Sequence, residues 1–470
     1  DVKDASLRFS DEDLSSFEYV SSLLFGLMLN EIDLSVALGS HIPKHGPGKT
    51  ADSISGNRKY FAMSWTRRLE ENFFSSGDFL VPNYGYSDDL QSVDFLEPGM
   101  EPPVSVVAVP KTLKTPRIIA MEPAHMQYAQ QALMEVLVSK LESDQLLGGM
   151  IGFTNQETNQ KLAQLGSKFG HLATLDLSEA SDRVSLRLVS RLLRKHTSLY
   201  RAVLSCRSQR ASVPGHGVLR LSKFASMGSA LCFPIEAMVF LTVVFLGIQK
   251  ALNRPLVTAD LKKIRRSVRV YGDDIIVPVA YAPSVVESLG TYGLKVNVAK
   301  SFWTGKFRES CGGEYYDGVS VKPVRLTNLP PSHRRQAREF ISFASQRNQL
   351  YEAGCWGTVR YIDNFMERLA PFPVVGRTSQ AIGRISFIPL FEVGKQCPNL
   401  HKPLIKALVG VSKRPLSPLG GYGALMKFFL RRLKFTPGME HFGPIVDDDH
   451  LRFAGRPRSV DTRLRWTSPV

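Results

Sequence analysis

Apolar residues recur at helical intervals from Ser15 to Leu38, so the chain is read as opening on a helix with one buried face. HIPKHGPGKT (His41 to Thr50) then breaks the periodicity and reads as a basic, turn-rich loop lying near RNA or nucleotide. From about Val104 to Val321 short β-branched runs alternate with amphipathic stretches, the pattern of an α/β catalytic core. Within it HLATLDLSEASDRVSLRLVSRLL (His171 to Leu193) predicts a strand ending at Asp176. A helix follows, capped near Ser181 or Asp182, with Val184, Leu188 and Leu192 on one face. FPIEAMVFLTVVFLGIQ (Phe233 to Gln249) reads as a buried helix, its uninterrupted apolar run too short for a bilayer. SVRVYGDDIIVPV (Ser267 to Val279) predicts two strands about a tight turn at Gly272, with Asp273 and Asp274 projecting from the tip. After Pro323 the pattern turns mostly helical, with basic clusters at Arg334, Arg335 and Arg338 and at Lys427, Arg431, Arg432 and Lys434, as in a separate lobe. The interleaved Phe428, Phe429, Leu430 and Leu433 have the spacing of core residues.

With 43% hydrophobic residues in 470, the chain can bury a large core in two or three lobes. Lys and Arg number 59 against 43 Asp and Glu, a net charge of +16, which favours a polyanionic partner, nucleic acid first. Five scattered cysteines without a C-x-x-C pair suit a reducing compartment and argue against a disulfide framework or structural zinc. No charged-then-apolar leader opens the chain, and it begins at Asp1, as a sequence lacking its natural start would. The loop around Gly48-Lys49 is not a P-loop, because Pro43 stands where the first glycine is needed.

Adjacent carboxylates repel unless a cation neutralises them, so Asp273-Asp274 invites magnesium, and Asp176 at a strand end is placed to share it. Two metals so held would activate a 3′-hydroxyl and stabilise a leaving pyrophosphate. Asp447, Asp448, Asp449 and His450 are consecutive in a loop and read as a solvated acidic segment.

Asp176 with Asp182, then SMGSALCFPIE (Ser226 to Glu236), then YGDD resembles in order the A, B and C motifs of palm-fold viral RNA polymerases. Four further strings resemble the levivirus-like replicases of RNA bacteriophages: VPKTLKTPRIIAMEP (Val109 to Pro123), TNQETNQ (Thr154 to Gln160), DLSEASD (Asp176 to Asp182) and FRESCGGEYY (Phe307 to Tyr316). The resemblance is dense from Val104 to Gly318, with HGPG and GNRKY as fainter matches upstream.

It implies an α+β chain folded as right-handed fingers, palm and thumb, with an antiparallel palm sheet and a mostly helical thumb. The segments would be 1–170 (N-terminal region and fingers), 171–186 (palm, motif A), 187–218 (fingers insertion), 219–320 (palm, motifs B to E) and 321–470 (thumb and C-terminal region). Asp176, Asp273 and Asp274 would hold Mg2+, or Mn2+, and carry catalysis with Lys300 as the acid toward pyrophosphate. Lys111, Lys114 and Arg117 would meet the triphosphate. Gly228 would lie in the loop that places the template base, and Asp182, with Ser226 or Glu236, would read the ribose 2′-hydroxyl. Cys232, Glu236 and Met227 stand where the wider viral group carries threonine, asparagine and serine. FRESCGG would form the hairpin gripping the nascent strand, with Cys311 a small packed residue.

The implied activity is RNA-directed RNA synthesis on a single-stranded template from ribonucleoside triphosphates, in the cytoplasm of a bacterial host. Host translation proteins are candidate partners and no membrane segment is expected. A reverse transcriptase of an intron or retroelement is the same-fold rival, disfavoured because Gly272 stands where those enzymes usually carry alanine. A non-catalytic RNA-binding protein is disfavoured by the intact carboxylates.

Overall fold

The computed structural model describes residues 7, 9–46, 48–61, 64–110, 116–326, 328–413, 419–432 and 460–470. They form two compact units: one of the described residues up to 322 together with the helix Gly421–Arg432, the other of the described residues from 323 to 413 and from 460 onward.

In the first unit α1 (Asp11–Ala37) begins at a capping box, in which Ser10 and Asp13 satisfy each other's backbone N–H groups, and buries Leu14, Phe17, Leu24 and Met28. β1 (Val104–Pro110) and β2 (Pro116–Met121) make an antiparallel hairpin. α2 (Ala124–Ser143) follows, and α3 (Glu157–Phe169) precedes β3 (Leu172–Ser178). α4 (Leu186–Leu193) and α5 (Thr197–Cys206) lead to the hairpin β4 (Arg210–Val213) and β5 (Gly217–Arg220). The long α6 (Cys232–Leu252) is followed by β6 (Arg269–Tyr271), β7 (Asp274–Pro278), α7 (Ala282–Thr291) and β8 (Lys295–Val296). β9 (Phe307–Ser310), β10 (Gly313–Tyr316) and β11 (Val319–Ser320) close the unit as an antiparallel meander.

Two four-stranded sheets organise this unit. One runs β8-β3-β7-β6 and is antiparallel throughout; the other runs β2-β1-β4-β5, with β1 and β4 parallel. The first rests on the main apolar core, to which α1, α2 and α6 contribute. α6 is longer than the apolar run suggests, 21 residues, and α1 has 27; both are long and apolar enough to cross a membrane. Burial of 89% of the α6 apolar window inside the protein makes it a core helix, as expected.

Two expectations are corrected. The helix after Asp176 is capped by Ser185, whose hydroxyl accepts from Arg187 N–H, and residues Ala180–Arg183 form a separate 3₁₀ turn. Val184 is held extended because its carbonyl accepts from Phe224 N–H (2.8 Å), which delays the helix start by one turn. The second unit is mixed where mostly helix was predicted: α8 (Ala337–Glu352) and α9 (Trp356–Leu369) accompany a sheet of β12 (Ala381–Ile382), β13 (Lys395–Gln396), β14 (Pro403–Ser412) and β15 (Val460–Thr467). β14 buries Ile405, Ala407, Leu408 and Val409, and its pairing with β15 joins segments far apart in sequence.

In the helix Gly421–Arg432 Leu430 is buried, but Phe428 and Phe429 are 42% and 38% exposed and meet edge to face, so the two rings are not core residues. Leu433, Lys434 and the Asp447–His450 segment lie outside the described residues.

Candidate active site

The register of the antiparallel sheet assembles the carboxylates. Asp176 is the direct cross-strand partner of Asp274, so two side chains nearly a hundred residues apart in sequence emerge on one face of β3 and β7. Asp273 and Gly272 form the two-residue loop between Tyr271 and Asp274, with Gly272 at φ +58°. A Cβ at Gly272 would also come within 2.6 Å of the Phe233 ring, so both conformation and space favour glycine. The tip itself carries only Asp273, which is exposed; Asp274 already belongs to β7 and is half-buried.

Each carboxylate has a distinct environment. Asn297 donates from its side chain to Asp176 (2.9 Å) and from its backbone to the Asp176 carbonyl (2.8 Å), while Asp176 N–H donates to Ser301 Oγ (3.1 Å). Burial pushes the Asp274 carboxyl up to about 6; the charges of Asp273 and Asp176 add to this, opposed by hydrogen bonds from Cys311 N–H and Ser310. Cys311 and Gly312, both at positive φ, are the turn of the β9–β10 hairpin. Burial first, then the Asp274 charge, pushes the Cys311 thiol up to about 12, so it stays protonated and is no nucleophile.

The replicase-like strings converge behind this hairpin. Asn159, fully buried, accepts from Arg269 Nε (2.8 Å) and donates to Ser310 Oγ (3.3 Å), and Gln160 donates to the Cys311 carbonyl (2.9 Å). Arg308, 1% exposed, spends its guanidinium on carbonyls of Leu172, Gly305 and Phe307. TNQETNQ and FRESCGG thus brace the strands that bear Asp176 and Asp274.

Asp182 pairs with Lys223 Nζ at 2.6 Å, a partner the sequence reading missed. Ser226 is buried close by in sequence, and its carbonyl accepts from Ser229 N–H. Glu236 is 7% exposed and accepts a hydrogen bond from the Cys232 thiol (3.6 Å). Burial, then the charge of Asp273, pushes Glu236 up to about 8, and Asp182 adds to the effect. At neutral pH it therefore keeps a proton and offers both a donor and an acceptor, as an asparagine amide would.

Gly228, at φ +133°, sits against β2: a methyl there would overlap the carbonyl oxygen of Ala120. Met227 carbonyl accepts from Ala120 N–H (2.9 Å) and Gly228 carbonyl from Gln127 (3.2 Å). The close approach this glycine allows is to the chain's own backbone. Arg117 is exposed on β2 opposite Val109, and Lys300 is exposed in the 3₁₀ turn Val298–Lys300 directly after Asn297. Lys111 and Lys114 lie outside the described residues.

The basic loop expected near RNA or nucleotide is partly folded inward. Lys59 donates to the carbonyls of Gly46 and Gly48, and His45 stacks on Tyr128 at 4.0 Å.

Among the described residues no group of three or more His, Cys, Asp or Glu side chains is placed to hold a metal ion. The class these features define is a paired-carboxylate centre on an antiparallel sheet, carried by an α+β chain. Residues 100–330 match the family described as RNA replicase, beta-chain, and through that segment the chain is related to the replicase beta chains of RNA bacteriophages. It is 39% identical over 221 residues to the RNA-directed RNA polymerase beta chain of Escherichia phage MS2, covering 47% of this chain and 37% of that protein. The corresponding figures are 35% over 254 residues for the beta subunit of Enterobacteria phage SP, with coverage of 54% and 39%. For the beta subunit of Escherichia virus Qbeta they are 36% over 220 residues, with coverage of 47% and 34%. The chain thus spans little more than a third of the length of these relatives. Among solved structures, the RNA-dependent RNA polymerase of a human picorbirnavirus aligns with a TM-score of 0.38 at 14% identity, over 52% of each chain. The BmCPV RNA dependent RNA polymerase in its quiescent state aligns with a TM-score of 0.43 at 8% identity, over 71% of this chain and 30% of that one.

Proposed function

We propose that this chain is the catalytic part of an RNA-directed RNA polymerase, copying a single-stranded RNA from ribonucleoside triphosphates. The observation that carries the reading is the register placing Asp176 opposite Asp274, with Asp273 in the adjoining turn, inside the segment that matches the replicase family. On this reading the chain is a right hand, with palm segments 171–186 and 219–320, fingers in 1–170 and 187–218, and thumb and C-terminal region in 321–470. It would act in the cytoplasm of a bacterial host, with host translation proteins as candidate partners.

The donor set suits Mg2+, or Mn2+. These are hard carboxylate oxygens, and the burial and mutual repulsion that raise Asp274 are what a divalent cation would relieve. Asp176, Asp273 and Asp274 would hold the metal, which when bound supplies activation of the attacking 3′-hydroxyl and stabilisation of pyrophosphate. The protein's own part is orientation and proton supply. Asn297 and Ser301 fix Asp176, and the Ser310–Cys311 turn fixes Asp274. Lys300, exposed beside them in sequence, would protonate the leaving pyrophosphate. Asp182, held by Lys223, and neutral Glu236 would accept and donate at the ribose 2′-hydroxyl. Lys111, Lys114 and Arg117 would meet the triphosphate; Ser226 and Gly228 would shape the loop under the template base.

Extension of an RNA primer on an RNA template with labelled ribonucleotides tests the reading. Incorporation that requires template and divalent cation is expected. Equal or better use of deoxynucleotides would replace it with the retroelement reading.

A further inference from the structure

A cavity of about 300 Å3 opens at the edge of the β2-β1-β4-β5 sheet, walled by Arg68, Glu101, Ser208, Gln209, Arg210 and Arg220. Arg210 and Arg220 are direct cross-strand partners, and like charges facing each other across an antiparallel pair destabilise it unless something neutralises them. Two of the three guanidiniums are already fixed. Arg68 donates to Glu101 Oε1 (3.0 Å) and to the carbonyls of Leu204 and Arg207; Arg210 donates to the carbonyls of Gly99 and Glu101 at 2.6 and 2.7 Å. The Arg220 guanidinium, exposed at the end of β5, has no hydrogen-bond or ion-pair partner among the described residues. Glu101 is the one carboxylate in the wall, so three guanidiniums leave a surplus of two positive charges. Behind the wall Arg207 is buried on the carbonyls of Leu221, Lys223 and Phe224, adding a further fixed cation.

We propose that this cavity is a phosphate-binding site, with Arg220 as its mobile arm and Arg68 and Arg210 as its fixed floor, taking a backbone phosphate of a bound RNA strand. Guanidinium forks match phosphate oxygens in pairs, and the exposed Gln209 side chain supplies a further polar group at the rim, while the buried Ser208 hydroxyl is already donated to Glu122. A strand is favoured over a free nucleotide because among the described residues no aromatic ring lines the cavity to stack a base, and the large apolar ones there are Pro102 and Met126. All four residues of β5 are exposed, leaving room for a chain to continue past the site. The choice of RNA as the phosphate's source rests on the polymerase reading; the anion site itself does not.

The test compares the full chain with Arg220→Gln, Arg220→Lys and, as a control that loses one exposed charge elsewhere, Lys262→Gln. Binding of a short fluorescent single-stranded RNA is measured by anisotropy across a salt series, and thermal unfolding is recorded with and without inorganic phosphate. Arg220→Gln is expected to bind RNA several-fold more weakly at low salt, with a log–log salt slope smaller by about 0.7, the share of one phosphate contact on a single strand. Arg220→Lys should keep the slope and lose part of the affinity, and Lys262→Gln should match the parent. Unchanged RNA binding by Arg220→Gln, or the same loss in Lys262→Gln, would overturn the site. If the parent binds no RNA yet phosphate raises its unfolding midpoint and fails to do so in Arg220→Gln, the anion site stands and the polymerase reading falls. Absence of both responses removes the site.

Discussion

At the scale of single residues, the chemistry rests on groups whose neighbours set their charge. Asp176→Ala and Asp273→Ala should each abolish nucleotide addition while RNA binding, carried by a surface with a net charge of +16, persists. Filter binding beside primer extension checks both halves, and polymerisation by Asp273→Ala would remove the assignment. Glu236 gives a sharper prediction. Because burial leaves it protonated at neutral pH, Glu236→Gln should keep ribonucleotide preference within a few-fold, whereas Glu236→Ala, lacking both donor and acceptor, should lower it by about 10-fold or more. Competition between ATP and dATP in single-turnover assays reads this directly; equal losses in the two variants would show that the charge itself matters. Lys300→Met should slow the bond-forming step more than it weakens nucleotide binding, seen as a fall in maximal single-turnover rate at little-changed nucleotide Kd. The juxtaposition of Asp176 with Asp273 and Asp274 was legible in sequence, because each stands at a strand end or turn of a recognisable motif. Lys223, Asn297, Ser301 and Ser310 were not, since their partners are fixed by folding.

At the scale of elements, the hairpins and strings around the carboxylates act as braces. Asn159→Ala would leave buried Arg269 Nε and Ser310 without their partner, a cost of about 1–3 kcal/mol. A lowered urea midpoint accompanied by a drop in primer extension is expected; unchanged values would demote TNQETNQ from brace to bystander. The sequence reading placed the β6–β7 hairpin and the burial of α6 correctly, because alternation and continuous apolarity are local signals. It misplaced the start of α4: the Phe224 contact that holds Val184 extended comes from forty residues downstream. It also missed the β14–β15 pairing, whose nearest paired ends, Ser412 and Val460, are nearly fifty residues apart in sequence. The tightest neighbour of Gly228 is Ala120, a distant residue no local pattern could name.

For the whole molecule, buried ionisable groups set how stability follows pH. Glu122, 4% exposed, is pushed up to about 7 by burial, against hydrogen bonds from Ser208 and Gln130 and the charges of Arg207 and Arg68. The folded protein then holds a proton that the unfolded chain has released. The contribution of Glu122 to stability should fall as pH rises from about 4.5 to about 7 and level off above that. Glu122→Gln should flatten that stretch of the profile in urea melts taken at several pH values, and a slope identical to the parent's would place the proton elsewhere. The helix Gly421–Arg432 has a consequence of another kind, in the order of events during synthesis. It packs on the Gly56–Tyr60 turn: Lys427 donates to Asn57 across 370 residues of sequence, Tyr422 meets Phe61 edge to face, and Gly423 lies against the Tyr60 carbonyl. A ribosome adding about 5–20 residues per second delivers that helix on the order of tens of seconds after the turn it covers. Through that interval Tyr60 and Phe61 lack their contacts to the later helix, so the surface offered to a nascent-chain chaperone is larger than the one the finished protein presents, where Phe61 stays 36% exposed.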